Sequence, residues 1–194
     1  MPYPPAPWKM YGESWNSLFR VKEGDHPDRP KGMYGVMMVR YDDPSPLTYH
    51  ELLVGRMVDK EHVTITDIWV DSADSVEGGR ALWAIPKELN EYTFEARENA
   101  ISTKLNATAS IGGRAIASCS FYDVAGAAPR LPFNGRVKQT RDNGEIVTAG
   151  LKGSAKIIPC HAKWQFAPEG PLGWLHGKRP VASARMLRFR MDFG

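Results

Sequence analysis

From Met33 onward this chain of 194 residues is cut into short strand-like runs, each closed by a turn signal, and that rhythm constrains its fold more than any other feature. The runs are Tyr34 to Tyr41, Tyr49 to Val58, His62 to Val70, Glu91 to Ala96, Ile101 to Ser110 and Ala115 to Tyr122. Asp59-Lys60-Glu61 joins two of them as a hairpin, and Glu98-Asn99 and Gly112-Gly113 mark further turns. Asn143-Gly144, between Val137–Thr140 and Glu145–Ala149, suits the two positive φ angles of a type I′ turn. In the last segment Leu187, Phe189, Met191 and Phe193 share one face, while Arg188, Arg190 and Asp192 share the other. Many short strands at such spacing predict one mostly-β domain, a barrel or a sandwich.

The period changes once. Asp74 followed by Glu77 has the form of a capping box, and Val76, Arg80 and Trp83 have helical spacing, which predicts one short helix. Pro86 lacks a backbone donor and pushes Ile85 toward extended conformations, so the helix ends before it and Lys87 opens a new segment. The first thirty or so residues are rich in proline and polar groups; residues 1–32 are expected to form an extended arm held to the surface by Trp8, Trp15 and Phe19.

Composition excludes several classes of function. A net charge of +3, without a five-residue cationic block or zinc-finger spacing, argues against nucleic acid as a partner. No run approaches the ~18 apolar residues of a membrane span, and the start, Met-Pro-Tyr-Pro-Pro-Ala-Pro-Trp, lacks the apolar core of a signal peptide. Two cysteines, Cys119 and Cys160, are too few for a disulfide framework, so a reduced, cytoplasmic setting is expected. The five histidines show no metal-ligand spacing, and no metal is expected. No Gly-x-Ser-x-Gly elbow occurs.

The chemistry-bearing candidate is Lys87. A lysine amine is nucleophilic only when neutral, and at an ordinary pKa of ~10.4 very little is neutral near pH 7, so burial in an apolar pocket is the expected means of activation. Glu51 lies in a strand among Leu52, Leu53 and Val54, where an inward-facing carboxylate needs a partner. The plainer alternatives are a solvated lysine at a turn and an outward-facing strand glutamate.

Val70-Asp71-Ser72, then Gly79-Arg80, then Trp83-Ala84-Ile85-Pro86-Lys87 resembles the signature of the acetoacetate decarboxylase family, and Tyr49-His50-Glu51 upstream resembles its Tyr-x-Glu. The resemblance implies an α+β, mostly-β fold: a closed barrel or cone of antiparallel strands with a few short helices around an interior pocket, often in a homo-oligomer. It implies no cofactor, a small-molecule oxo acid as substrate, and a Schiff base on Lys87 that acts as electron sink while carbon dioxide leaves. Glu51 would position substrate or shuttle a proton. Tyr49 belongs to the same site. Arg80 would brace the turn before the lysine or bind a substrate carboxylate, with bracing favoured, and Trp83 would be a core or pocket-wall residue.

The chain departs from the family pattern in three ways. Glu88 replaces the second lysine, Met37-Met38-Val39 stand where a further carboxylate is expected, and Ala81 and Ala84 replace a glutamate and a glycine. If the segment is extended, Glu88 points away from Lys87. The leading expectation is decarboxylation of a β-keto or related oxo acid. The same imine would serve an aldolase or a dehydratase, and the alternative of another class is a non-catalytic pocket protein that binds a hydrophobic carboxylate.

Overall fold

The computed structural model describes residues 3–99, 102–124 and 128–194. In chain order its elements are β1 (Trp8–Val21), β2 (Gly32–Tyr41), β3 (Tyr49–Met57), β4 (His62–Val70), α1 (Ala73–Trp83), β5 (Lys87–Leu89) and β6 (Glu91–Glu98). There follow β7 (Ser102–Ile111), β8 (Arg114–Val124), β9 (Arg130–Thr140), β10 (Ile146–Pro159), β11 (His161–Phe166), a 3₁₀ turn at Gly173–Leu175 and β12 (Ala182–Phe193). Ile101, where a strand was expected to begin, lies outside the described residues.

One sheet runs β3-β2-β1-β12-β10-β9-β4-β5, and β3 also pairs with β4, so seven strands close into a barrel with β5 attached to β4. The expected barrel is present, with mixed pairing: β4 runs parallel to both β9 and β5. The remaining strands form a second sheet, β11-β8-β7-β6, laid against the barrel wall.

Period-2 alternation sorts the barrel residues between two cores. On β2 and β3 the odd positions Val39, Tyr41 and Tyr49 face the barrel interior with Ile68 and Trp83. The even positions Val36, Met38, Leu52 and Val54 meet Leu105, Ala107 and Phe121 of the second sheet. Wall strands buried on both faces explain why sequence alternation is faint there.

The N-terminal arm is corrected by this arrangement. Residues 8–21 form an integral strand between β12 and β2, with Trp8 and Met10 in the interior core and Trp15, Phe19 and Val21 in the outer one. A register shift between Gly12 and Ser14, opposite left-handed Arg188 on β12 (φ 49°), bends the pair.

Two local expectations also change. The helix cap is Ser72, whose hydroxyl accepts from the Ser75 N–H at 3.2 Å, with Asp74 in the first turn. At Asn143-Gly144 only the glycine takes positive φ, 84°, and the Gly144 N–H returns to the Arg141 carbonyl at 2.9 Å. That is a turn followed by a left-handed glycine in place of a type I′ pair.

The wall has a seam beside the site. β4 pairs with β9 only at His62 and Val63, and with β5 from Ile68. Between them the Gln139 side chain replaces the missing ladder, accepting from the Ile65 N–H at 3.1 Å and donating to the Ile65 carbonyl at 3.0 Å. Arg185, almost wholly buried, ties the two sheets together through Glu13, Thr103 and Glu98.

Candidate active site

Lys87 is placed by backbone constraints on both sides. Ala84 ends α1 in the left-handed region at φ 54°, and the Lys87 N–H closes a tight turn over Pro86 onto the Ile85 carbonyl at 2.8 Å. From the last turn of the helix the Arg80 Nε donates to the Lys87 carbonyl at 2.7 Å. Arg80 is exposed and lies outside the cavity lining, so in this structure it braces the backbone. Glu88 points the other way and accepts from the Trp69 indole at 3.1 Å.

The Lys87 side chain then runs beneath α1 into the barrel, 4 % exposed. Gly79 makes room for it: a Cβ there would stand 2.8 Å from Lys87 Cδ. Gly78 does the same for the Trp8 ring, 2.7 Å from a Cβ built on it. The amine donates to Ser75 Oγ at 2.9 Å, Glu51 Oε2 at 3.0 Å and the Tyr49 hydroxyl at 3.1 Å. Three oxygens match the three donors of an ammonium. The amine also lies 4.9 Å from the centre of the Tyr49 ring. On its other side Glu51 accepts from the Tyr41 hydroxyl at 3.0 Å through Oε1.

This geometry corrects the expectation that burial lowers the lysine pKa. Burial does pull it down, but the Glu51 carboxylate and the Tyr49 hydroxyl outweigh it, and the pKa of Lys87 ends above the usual lysine value. Burial raises the Tyr41 pKa well above its ordinary value, with the Glu51 charge adding to it, and burial likewise raises that of Tyr49. The resting site is an ammonium–carboxylate pair flanked by two protonated phenols.

Around it lies a cavity of about 270 Å³ whose lining, apart from this cluster and a polar edge at Asn134–Arg136, is apolar. Met37, Leu53, Ile68 and Trp83 are among its walls. Trp83 packs edge-on against Trp8 at 4.8 Å and Phe193 at 4.7 Å. Met37 and Val39 face inward where a second carboxylate was expected, and Val39 pairs directly with Glu51.

Sequence reasoning singled out Lys87, Glu51, Tyr49 and Trp83, and the structure brings all four to one cavity. It missed Tyr41 and Ser75. Ser75 precedes Gly79 by one helical turn and so shares the face that receives the lysine, and Tyr41 is the cross-strand partner of Tyr49.

The other candidates lie elsewhere. His50 is on the opposite face of β3, bonded to Asp71 at 2.8 Å. Cys119 and Cys160 are free, and burial pushes each thiol up to about 12. Among the described residues no group of three or more potential ligands could hold a metal, and no helix is long and apolar enough to cross a membrane.

Fold and site together define a closed β-barrel protein with a lysine–glutamate pair in its interior cavity. The chain belongs to the acetoacetate decarboxylase family, whose model matches residues 22–149, more than half its length. Among solved structures it resembles an acetoacetate decarboxylase from Legionella pneumophila, with a TM-score of 0.66 and 15% identity over 99% of this chain and 86% of that one. An acetoacetate decarboxylase-like enzyme from Sphingomonas wittichii RW1 gives a TM-score of 0.66 at 12% identity, over 100% and 92% of the two chains. The enduracididine biosynthesis enzyme MppR gives 0.64 at 14% identity, over 99% and 86%. At these identities the likeness is one of fold. No curated protein sequence matches the chain.

Proposed function

We propose that the protein is a Schiff-base-forming lyase that decarboxylates a β-keto acid through an imine on Lys87. The observation that carries this reading is the Lys87 amine inside an apolar cavity, 3.0 Å from the one carboxylate that lines it among the described residues.

Nucleophilic attack requires the ammonium to lose a proton, and Glu51 is the acceptor in reach. A substrate that fills the cavity removes residual solvent from the pair. In a drier site the neutral amine and carboxylic acid gain on the ion pair, because separated charges are costly there. The amine then adds to the substrate carbonyl, forming a C–N bond. Glu51 returns its proton to the hydroxyl of the adduct, water leaves, and a protonated imine forms. The bond to the carboxylate breaks with its electron pair moving into that imine, releasing carbon dioxide and leaving an enamine. A proton drawn from solvent through Glu51 goes to carbon, and water hydrolyses the imine to free Lys87 and a ketone.

Tyr41 fixes the orientation of Glu51 by donating to the oxygen that does not face the lysine. Apolar walls favour the step in which a carboxylate becomes neutral carbon dioxide.

The test is borohydride reduction in the presence of a panel of oxo acids, followed by peptide mass spectrometry. A reduced adduct on Lys87, absent in Lys87→Met, is the expected result. No adduct with any oxo acid removes the covalent reading.

A further inference from the structure

The interior cavity shares part of its lining with a cleft on the surface. Asn134, Gly135, Arg136 and Leu151 line both the inner chamber and a shallow outer cleft, and so form its mouth. Arg136 stands there exposed. Its backbone is pinned by an N–H bond to the Glu61 carbonyl at 3.1 Å, while its guanidinium has no hydrogen-bond or ion-pair partner among the described residues. The charged side chains of the outer cleft are Lys60, Arg136 and Lys152 with Glu61 and Asp192, and of the three cations Arg136 alone also lines the inner chamber.

The opposite end of the chamber is different. There the Lys87 charge is already matched by Glu51, and the surrounding wall is apolar. An additional anion brought to that end finds no unpaired cation among the described residues and bears the cost of an uncompensated buried charge. Along β4, Arg136 is level with His62 and Lys87 with Ile68, six positions further on. At ~3.3 Å per residue the two backbones are roughly 20 Å apart along that strand. An apolar cavity of ~150 Å³ holds a benzene ring, so 270 Å³ has room for about ten carbon-sized atoms between the two side chains.

We propose that Arg136 holds an anionic group at the far end of the substrate, several carbons from the carbonyl that meets Lys87. This rests on the Schiff-base reading and narrows its substrate class. For a decarboxylation the substrate is a 3-oxo diacid. Its near carboxylate, destabilised in the apolar chamber, leaves as carbon dioxide, and its distal carboxylate is retained on Arg136.

The test compares 5-oxohexanoate with its uncharged methyl ester. Half-saturating concentration is read in two ways: borohydride trapping on Lys87, and quenching of the tryptophan fluorescence of Trp8 and Trp83 in the cavity wall. Wild type is expected to favour the acid over the ester at least tenfold, and Arg136→Gln to lose that advantage. High salt should reduce it in wild type. Equal binding of acid and ester by wild type, or an advantage that survives in Arg136→Gln, overturns the proposal. If neither compound is trapped, the imine reading fails by itself, and the fluorescence comparison still decides the role of Arg136.

Discussion

The Lys87 amine and the Glu51 carboxylate lie 3.0 Å apart with side-chain exposures of 5% and 3%, and the carboxylate opposes the pull of burial on the charge of the lysine. Glu51→Gln removes the charge that holds the ammonium, while burial remains. The apparent pKa of Lys87 modification should therefore fall, from above the usual lysine value in wild type to below it in the variant. Rates of acylation of Lys87 against pH, read by mass spectrometry, check this. An unchanged profile would mean that Glu51 does not set the lysine charge.

The same shift fixes the sign of a pH effect on stability. The Lys87 pKa is raised on folding, so its contribution is fully present below the unfolded value of about 10.5 and is lost as pH rises through the folded value. Tyr41 and Tyr49, both raised, act in the same direction from about pH 10. Urea denaturation between pH 9 and 11 should show stability falling with pH. The fall should be smaller in a Lys87→Met, Glu51→Gln double variant.

Removing one member of the buried pair is expected to cost more than removing both. Lys87→Met leaves Glu51 without its ammonium partner, and such single losses typically cost about 3–5 kcal/mol. In the double variant, Lys87→Met with Glu51→Gln, no charge is stranded. A double-mutant cycle should give a coupling of at least ~2 kcal/mol, and additive single effects would contradict the pairing.

What was legible in the sequence follows from the range of the forces involved. Pro86 acts on its immediate neighbours and ends α1 just before it, so the start of β5 and the position of Lys87 could be read directly. Alternation along β12 was visible because one face of Phe189–Phe193 is exposed. β1 was hidden because Trp8 and Trp15 serve opposite cores across a register shift, which leaves no simple polar face. The Tyr41–Glu51 bond and the place of Arg136 at the mouth depend on barrel closure, which only long-range strand pairing sets. The direction of the Lys87 pKa is hidden for a related reason: burial of a lysine is readable from a motif, but the carboxylate that offsets it comes from another strand.

Ala84 occupies the left-handed region at φ 54°, where an L side chain with a Cβ is strained by about 1–2 kcal/mol and glycine is not. Ala84→Gly should stabilise the fold by about 1 kcal/mol, net of the greater flexibility of glycine in the unfolded chain. For a domain of this size that corresponds to a rise of roughly 2–4 °C in Tm by calorimetry. A fall in Tm would show that the Ala84 methyl makes a packing contribution larger than the strain it brings.

Gly79 separates the fold from the chemistry more sharply. It is buried within α1, and a Cβ there meets Lys87 Cδ at 2.8 Å and Cε at 3.0 Å, atoms of a flexible side chain that can swing aside. Gly79→Ala gains up to about 1 kcal/mol of helix propensity, which offsets much of the cost of the shift. Its melting temperature should therefore remain close to that of wild type. The displaced amine, however, would no longer meet Ser75, Tyr49 and Glu51 together, and misplacement of a reacting atom by about an ångström can cost on the order of a hundredfold in rate. Borohydride trapping of an oxo acid on Lys87 should slow by at least tenfold in Gly79→Ala, measured beside Gly78→Ala, whose clash is with the rigid Trp8 ring and whose main effect should be on stability. Trapping at the wild-type rate in Gly79→Ala would show that the position of the amine against its three oxygens does not control imine formation.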